Sequence, residues 1–450
     1  MPQEHASLSL PPVSAPAESA VEKQLIRALG VPSLAANIVN STVGAGIFAL
    51  PALVAAQIGA GAPLAFLACA LAMVIFVTSF ALAGSRVSLT GGLYAYVETA
   101  FGRYVGFIAG VLYFLTAILA ASGIVALVAD TIGALSPIFA SGAMHFLVVL
   151  FVFGMLAWIN IRGIKAGAGA VWIVTIAKLL PLFVFIGLGL FFVRGADALT
   201  ISWPGASSMG RGVLLLLFAF VGIEVALMPS GEVKDPARTV PRAIYLALFV
   251  TTVLYLLIQL VAQGILGDSL GKFPTAPLAQ AASRFLGEPG RKLMLTGASI
   301  SAFGFLVSDI LSSPRVLFAL GRDRFLPKAL AHVHPRYHTP DVAILVYCSI
   351  AAFLSLFSTF QHLAILSNVA VLVLYFLSCG AALQLMRRDE PSARRPFHFP
   401  GAWIFPVLGI AISLWILAQA TRAELAVTGA VLAIASLLFL IQRALRKRKR

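Results

Sequence analysis

The sequence predicts an all-α polytopic membrane protein with twelve transmembrane helices, and three observations carry that prediction. Of its 450 residues, 60% are hydrophobic and only 11% are charged, whereas a soluble domain carries about 25% charged residues. The mean hydropathy is +0.98. Apolar runs long enough to cross a bilayer recur from residue 33 to residue 443, with the charge gathered in the connectors between them. A soluble chain of this size with so few charges cannot cover its surface with polar groups. The composition therefore excludes an ordinary globular enzyme, a disordered protein and a disulfide scaffold.

The elements follow in order. Residues 1–24 hold Pro, Ser and Glu but no continuous apolar core, so they carry no secretory signal. Residues 1–30 are expected to form a disordered cytosolic tail. A spanning helix needs about 20 mainly apolar residues, because each rises about 1.5 Å through a hydrocarbon core about 30 Å thick. Twelve stretches meet that need, near 33–57, 63–84, 103–130, 143–161, 166–193, 211–230, 241–266, 292–320, 341–359, 362–386, 402–421 and 424–443. Backbone polar groups in lipid must be bonded internally, and the twofold alternation of a barrel strand is absent, so each stretch is expected to be helical. A basic cytosolic tail, 444–450, closes the chain.

The net charge of +15 raises the question of nucleic acid, but its distribution answers it. With the N-terminus inside, all but eight of the 32 Lys and Arg residues fall in inner connectors and the C-terminal tail. Seven fall in outer connectors, and Lys178 lies within a span. This is the positive-inside pattern, which puts both termini in the cytoplasm of a multi-pass protein of the cell membrane. The basic tail suits anionic lipid, and no nucleic-acid partner is expected. Cys69, Cys348 and Cys379 all fall in apolar runs and read as small buried residues. His332, His334 and His338 lie in one inner loop with Pro335 among them and no cysteine cluster, so no metal is expected there. Serine-nucleophile, phosphate-loop and zinc signatures are absent. An enzyme is not expected, nor any cofactor.

Two spans are interrupted. The first reads Asn40-Ser41-Thr42-Val43-Gly44-Ala45-Gly46-Ile47-Phe48-Ala49-Leu50-Pro51, and the second Phe218-Ala219-Phe220-Val221-Gly222-Ile223-Glu224, followed by Pro229. Glycine weakens a helix by about 1 kcal/mol relative to alanine, and proline removes a donor and clashes one turn back. Paired interruptions at corresponding places in two halves point to a transporter binding site. An unwound stretch bares N–H groups at one half-helix start, which attract an anion, and C=O groups at another half-helix end, which attract a cation. A zwitterionic amino acid carries both charges on one carbon. The bland alternative is that the glycines only let helices pack closely.

At these residues the sequence resembles the amino acid–polyamine–organocation family of transporters, over roughly residues 30–345. The resemblance rests on Gly44-Ala45-Gly46-Ile47-Phe48 with Pro51, and on Gly91-Gly92-Leu93-Tyr94-Ala95-Tyr96 with Phe101-Gly102. It continues in the 218–224 segment running into Glu232-Val233-Lys234-Asp235-Pro236, then in Pro314-Arg315-Val316-Leu317, Arg322-Asp323 and His334-Pro335-Arg336. It implies a leucine-transporter-type fold: a first five-helix repeat over 31–195, an inverted second repeat over 196–386, and two extra helices over 387–443. It implies that the substrate carboxylate meets the N–H groups of Ala45, Gly46 and Ile47, with Gly44 also in the substrate-binding stretch. The substrate ammonium would then meet carbonyls near Ser41 and Thr42 and those of Phe218, Ala219 and Val221, beside Gly222. Phe218 or Phe220 would be an aromatic lid, and Tyr94 or Tyr96 an inner gate.

Four polar residues at membrane depth stand out. Lys178 lies about a dozen residues from either end of its span, where a charge must be paired or solvated, and such a group is a functional candidate by default. The resemblance places it where sodium sits in sodium-coupled relatives, with Ser308 bordering the same place. Lys178 is then either a sodium substitute that exchanges protons or a permanently charged pin on span-1 carbonyls. Pro181 frees the carbonyl of Ala177 nearby, which suits both. Glu224 either binds a proton during the cycle or caps bare N–H groups. Asp309 either pairs with Lys178, reads a cationic side chain, or bonds to Ser312 or Ser313.

The expectation is a secondary active transporter that moves amino acids by alternating access, proton-coupled and sodium-independent, with protons and the lipid bilayer as its other partners. The alternative is a polyamine, amine or amino acid exchanger. A major-facilitator protein also has twelve spans but lacks the paired breaks, and a channel needs a polar pore stripe. Substrate identity and oligomeric state are open at this level. Ser367 and Asn368 are guesses at selectivity residues.

Overall fold

The computed structural model describes residues 30–87, 92–135, 138, 141–163, 168–193, 203–224, 236–322, 324–388 and 397–447. The described residues form helices and short 3₁₀ turns, with no strand among them. In chain order the helices are α1 (Val31–Thr42), α2 (Leu50–Ile58), α3 (Ala62–Gly84), α4 (Leu93–Phe101), α5 (Arg103–Leu135), α6 (Gly142–Ile161) and α7 (Ala168–Gly189). They continue as α8 (Ala206–Phe220), α9 (Pro236–Leu266), α10 (Pro277–Ser312), α11 (Pro314–Arg322), α12 (Asp341–Phe357), α13 (Phe360–Arg388), α14 (Ile404–Leu417) and α15 (Arg422–Lys447). Eight helical stretches are long and apolar enough to cross a membrane, and α8, α12 and α14 are shorter apolar helices. The chain is thus a polytopic all-helical membrane protein.

The helices differ in what surrounds them. In the most apolar window of α13, 78% of residues are buried inside the protein, against 17% in α15. The first is the centre of the bundle, packed on α3, α4, α5, α8 and α14, and the second lies at its edge. Large apolar side chains such as Phe191, Phe353 and Phe357 point outward, as lipid-facing residues do when the surroundings are as apolar as the core.

The sequence reading departs from the structure at two places. It leaves 267–291 as a connector, but the structure carries a helix from Pro277 onward, turned at Gly287 (φ 63°, ψ −151°) into the span that follows. That span ends at Ser312, and Pro314, which has no N–H to give, opens α11. The Gly92–Phe101 segment also forms a short helix, α4, against α5 and α13.

Side-chain bonds tie the helix ends to one another. At one end, Arg211 donates to both carboxylate oxygens of Glu424, at 2.7 and 2.6 Å. At the other, Arg388 donates to the carbonyls of Thr99 and Ala100, and Thr339 Oγ1 to that of Ile161 at 2.6 Å.

Candidate functional site

The first break begins with hydroxyls that compete for helix carbonyls. Ser41 Oγ donates to Asn37 O at 3.0 Å and Thr42 Oγ1 to Ile38 O at 2.8 Å, in the last turn of α1. Val43 (φ −75°, ψ 86°) makes a tight turn in which the Gly44 N–H donates to Thr42 O at 2.9 Å, and Gly44 (φ −98°, ψ −168°) is extended. The chain resumes as a 3₁₀ turn, Ala45–Phe48, before α2. The N–H groups of Ala45 and Gly46 open that turn and have no intrahelical acceptor, while the third N–H of a 3₁₀ turn already reaches back to the capping carbonyl. Pro51 stands in the first turn of α2, where its missing donor costs nothing. It starts the second half-helix and does not break the first.

The second break follows α8. Val221 is extended (ψ 137°) and Gly222 takes a left-handed φ of 108°, which favours glycine. Glu224 Oε2 accepts the Gly222 N–H at 3.0 Å and the hydroxyl of Tyr375 on α13 at 3.1 Å. Pro229 and the 232–235 segment lie outside the described residues, as does Gly91. The two breaks touch: a Cβ on Gly222 would stand 3.0 Å from the Ser41 carbonyl oxygen. Tyr255, buried on α9, spans them, its hydroxyl lying 3.1 Å from Thr42 O and 2.9 Å from Ala219 O.

A cavity of about 1780 Å³ runs from these breaks to the end of the bundle where Arg103, Arg315 and Arg322 lie. That exceeds the range of about 300–1,000 Å³ usual for a small-molecule pocket, so the volume is a site plus its vestibule. Of the residues singled out from sequence, Ser41, Gly44, Tyr94, Lys178, Gly222, Glu224, Ser308 and Asp309 line it. Thr42, Ala45, Gly46, Ile47, Phe218, Ala219, Phe220, Val221 and Tyr96 do not. Phe220 is buried edge-on against Tyr255. Phe218 lies half-buried on the other side, its Cδ1 2.9 Å from where a Gly46 Cβ would be, and meets Phe360 edge-on. Tyr96 is buried with its hydroxyl against Gly84, while Tyr94 is exposed at the cavity wall.

Lys178 Nζ donates to the carbonyl of Asn40 in α1, and Thr175 Oγ1 donates to Asn40 Oδ1 at 3.0 Å. The lysine therefore sits on the negative end of the first half-helix. Ser308 lines the same cavity but donates within its own helix, to Gly304 O at 3.2 Å. Asp309 does not pair with Lys178. It accepts from Ser313 Oγ at 2.8 Å and from the Tyr347 hydroxyl at 2.5 Å. Ser367 and Asn368 are buried away from the cavity. Ser367 donates to Thr116 O, and Asn368 Nδ2 donates to Leu214 O and Leu215 O in α8. They tie α13 to α5 and α8, and neither lines the cavity. His332 pairs with Asp341 at 2.7 Å, and Cys69, Cys348 and Cys379 are buried free thiols.

Sequence reasoning missed Tyr255, Tyr347 and Tyr375, each fully buried, with a hydroxyl on the breaks or on a cavity carboxylate. The available signal was a tyrosine within an apolar span, since a buried hydroxyl needs a polar partner.

With this geometry in place, comparison with known proteins is decisive about kinship. The family model described as amino acid permease matches residues 29–441. The chain is 31% identical over 397 residues to the serine/threonine exchanger SteT of Bacillus subtilis, covering 84% of this chain and 88% of that one. It is 27% identical over 427 residues to the branched-chain amino acid permease BcaP of the same organism, covering 88% of each. It is 29% identical over 413 residues to an arginine/agmatine antiporter of Chlamydia pneumoniae, covering 86% of this chain and 84% of that one. The chain belongs to the amino acid permease family, within the amino acid–polyamine–organocation transporters, and is a membrane transporter and not an enzyme.

Proposed function

We propose that the protein is a secondary active transporter that carries amino acids by alternating access, coupled to protons and independent of sodium. The observation that carries this reading is the meeting of two helix breaks at the blind end of one large cavity. A cavity that reaches one end of the bundle and stops at the breaks, with Phe218 packed on Gly46 and Phe360 beyond it, is what one half of such a cycle requires. The charge of the Arg-bearing end makes it the cytoplasmic side, with both termini there. On this reading the twelve apolar stretches form two inverted five-helix repeats, 31–195 and 196–386, and two further helices.

The substrate carboxylate meets the N–H groups of Ala45 and Gly46 once Phe218 withdraws. Its ammonium meets the carbonyls of Ser41, Thr42 and Ala219. Lys178, held on Asn40 O, does the work of a sodium ion by tying α1 to α7. Glu224 caps the second break and carries the proton. A ligand shifts a conformational equilibrium only by its differential affinity for the two states. Bare peptide dipoles that close around a zwitterion supply that difference.

Exchange of one amino acid or amine for another is the second reading, favoured by relatives named as a serine/threonine exchanger and an arginine/agmatine antiporter. Uptake into liposomes holding the purified chain separates the two. Net uptake of a labelled amino acid that rises with an inward proton gradient, and that loses this response in Glu224→Gln, supports coupled uptake. A parent indifferent to the gradient that needs amino acid inside is an exchanger. A parent that moves no amino acid or amine under either condition defeats both.

A further inference from the structure

Asp309 is a buried carboxylate with no ion pair to a basic side chain among the described residues. It lies on the α10 wall of the cavity and is 9% exposed. Its two donors, Ser313 and Tyr347, are neutral hydroxyls that fix its position without cancelling a charge. Tyr347 belongs to α12, so the carboxylate is held between two packed helices. Lys178, which lines the same cavity, donates instead to the Asn40 carbonyl. Glu224, the carboxylate at the breaks, is occupied by the Gly222 N–H and Tyr375. An uncompensated carboxylate withdrawn from water is expensive, and a cation arriving in the cavity removes that cost.

The wall beside Asp309 is cut back. Gly304, Ser308 and Ser312 follow one another at intervals of four along α10 and all line the cavity, so they share one helix face. None carries more than a hydroxymethyl group, which leaves room for an extended side chain. Ser308 and Ser312 spend their protons on carbonyls of their own helix, Gly304 O and Ser308 O. Their oxygens therefore present lone pairs to the cavity and act there as acceptors. A carboxylate flanked by two acceptors, with space in front, suits a cation rich in N–H donors.

We propose that Asp309, with the Ser308 and Ser312 oxygens, receives the side-chain cation of a basic amino acid, an ammonium or a guanidinium, while the helix breaks hold its α-carbon charges. The proposal rests on the amino acid transport reading and names the substrate class for that same site.

The test is counterflow in liposomes containing the full chain, with labelled arginine, ornithine, lysine, serine and leucine. The parent is expected to exchange at least one basic amino acid. Asp309→Asn is expected to raise the KM for the basic substrate about 10-fold or more, the scale of a lost hydrogen bond to a charged group, with neutral counterflow within about twofold of the parent. Ser312→Leu keeps the carboxylate, fills the space and is expected to reduce basic uptake selectively, so the question stays decidable if Asp309→Asn does not fold. A parent that moves serine or leucine but no basic amino acid overturns the proposal and leaves the transport reading standing. A parent that moves none of the five defeats both. Equal loss of basic and neutral transport in the variants assigns Asp309 a structural role and overturns the proposal.

Discussion

The two helix breaks look alike in the chain, each a glycine inside an apolar span, yet the charged side chains that meet their bare peptide groups are of opposite kind. At the first break the open groups are carbonyls, met by donors: Lys178 on Asn40 O and Tyr255 on Thr42 O. At the second, where Tyr255 also meets Ala219 O, the Gly222 N–H is bared and met by the Glu224 carboxylate. Lys178 carries the sign that a helix C-terminus attracts, and Glu224 answers a bared N–H. The origin of the partners differs too. The first break is tied by residues of other helices, α7 and α9; the second shares the α9 tie through Tyr255 on Ala219 O, but its bared N–H is capped by a residue two positions further along the same chain. A break tied from outside depends on its neighbours to keep its place, and a self-capped break carries its partner with it when it moves. Substitutions at the ties are therefore expected to cost more than substitutions at the cap.

The largest effect is expected from Lys178→Ala. It removes the charged donor from Asn40 O and leaves an unmet carbonyl deep in the bundle, at a cost of about 1.5–3 kcal/mol. Transport is expected to fall to background, and the detergent-solubilised protein to unfold at a lower temperature in a thermal-shift assay. Normal uptake by Lys178→Ala would show that the first break holds itself. The next effect is expected from Gly222→Ala. An alanine at φ 108° is strained by about 1–3 kcal/mol, and its Cβ would press to 3.0 Å from the Ser41 carbonyl oxygen. Uptake is expected to drop severely with a smaller loss of thermal stability than in Lys178→Ala. Alanine at Gly44, where no atom lies within 4 Å of the added Cβ and φ is negative, is the matched control and is expected to keep the fold.

These contrasts explain what was legible in the sequence. Glycines at mid-span, a lysine with no route to water and a glutamate beside a glycine are anomalies against an apolar background, so both breaks and their charged partners could be read from the chain. The tyrosines could not, because a tyrosine among apolar residues also reads as packing, and its partners here include backbone carbonyls that every residue possesses. Phe218 and Phe220 show a second limit. They sit two positions apart at a helix end and face opposite ways, one onto Gly46 and the other onto Tyr255, and nothing in the residue types separates them. Ser367 and Asn368 show a third. They lie on α13, where protein surrounds nearly every face, so no amphipathic stripe reports which way a residue points. The helix from Pro277 escaped notice because its sequence is too polar to read as a span.

The smallest and sharpest effect is expected from Tyr255→Phe. The ring stays, edge-on to Phe66 and Phe220, so packing is retained and only the hydroxyl is lost. That hydroxyl has one proton and two carbonyls within reach, Thr42 O at 3.1 Å and Ala219 O at 2.9 Å, and it donates fully to one at a time. Its loss costs about 0.5–1.5 kcal/mol, which leaves the protein folded. The two carbonyls belong to different breaks, so the hydroxyl fixes the distance between them, and on the proposed reading both also receive the substrate ammonium. Tyr255→Phe is then expected to raise KM several-fold, with a change in thermal stability too small to account for it. A substrate that competes with Tyr255 for these carbonyls gives the reverse: removing the hydroxyl lowers KM. Either shift identifies the carbonyl pair as the point where the two breaks act together. An unchanged KM would separate them, leaving the Glu224 cap and the Lys178 tie as independent devices.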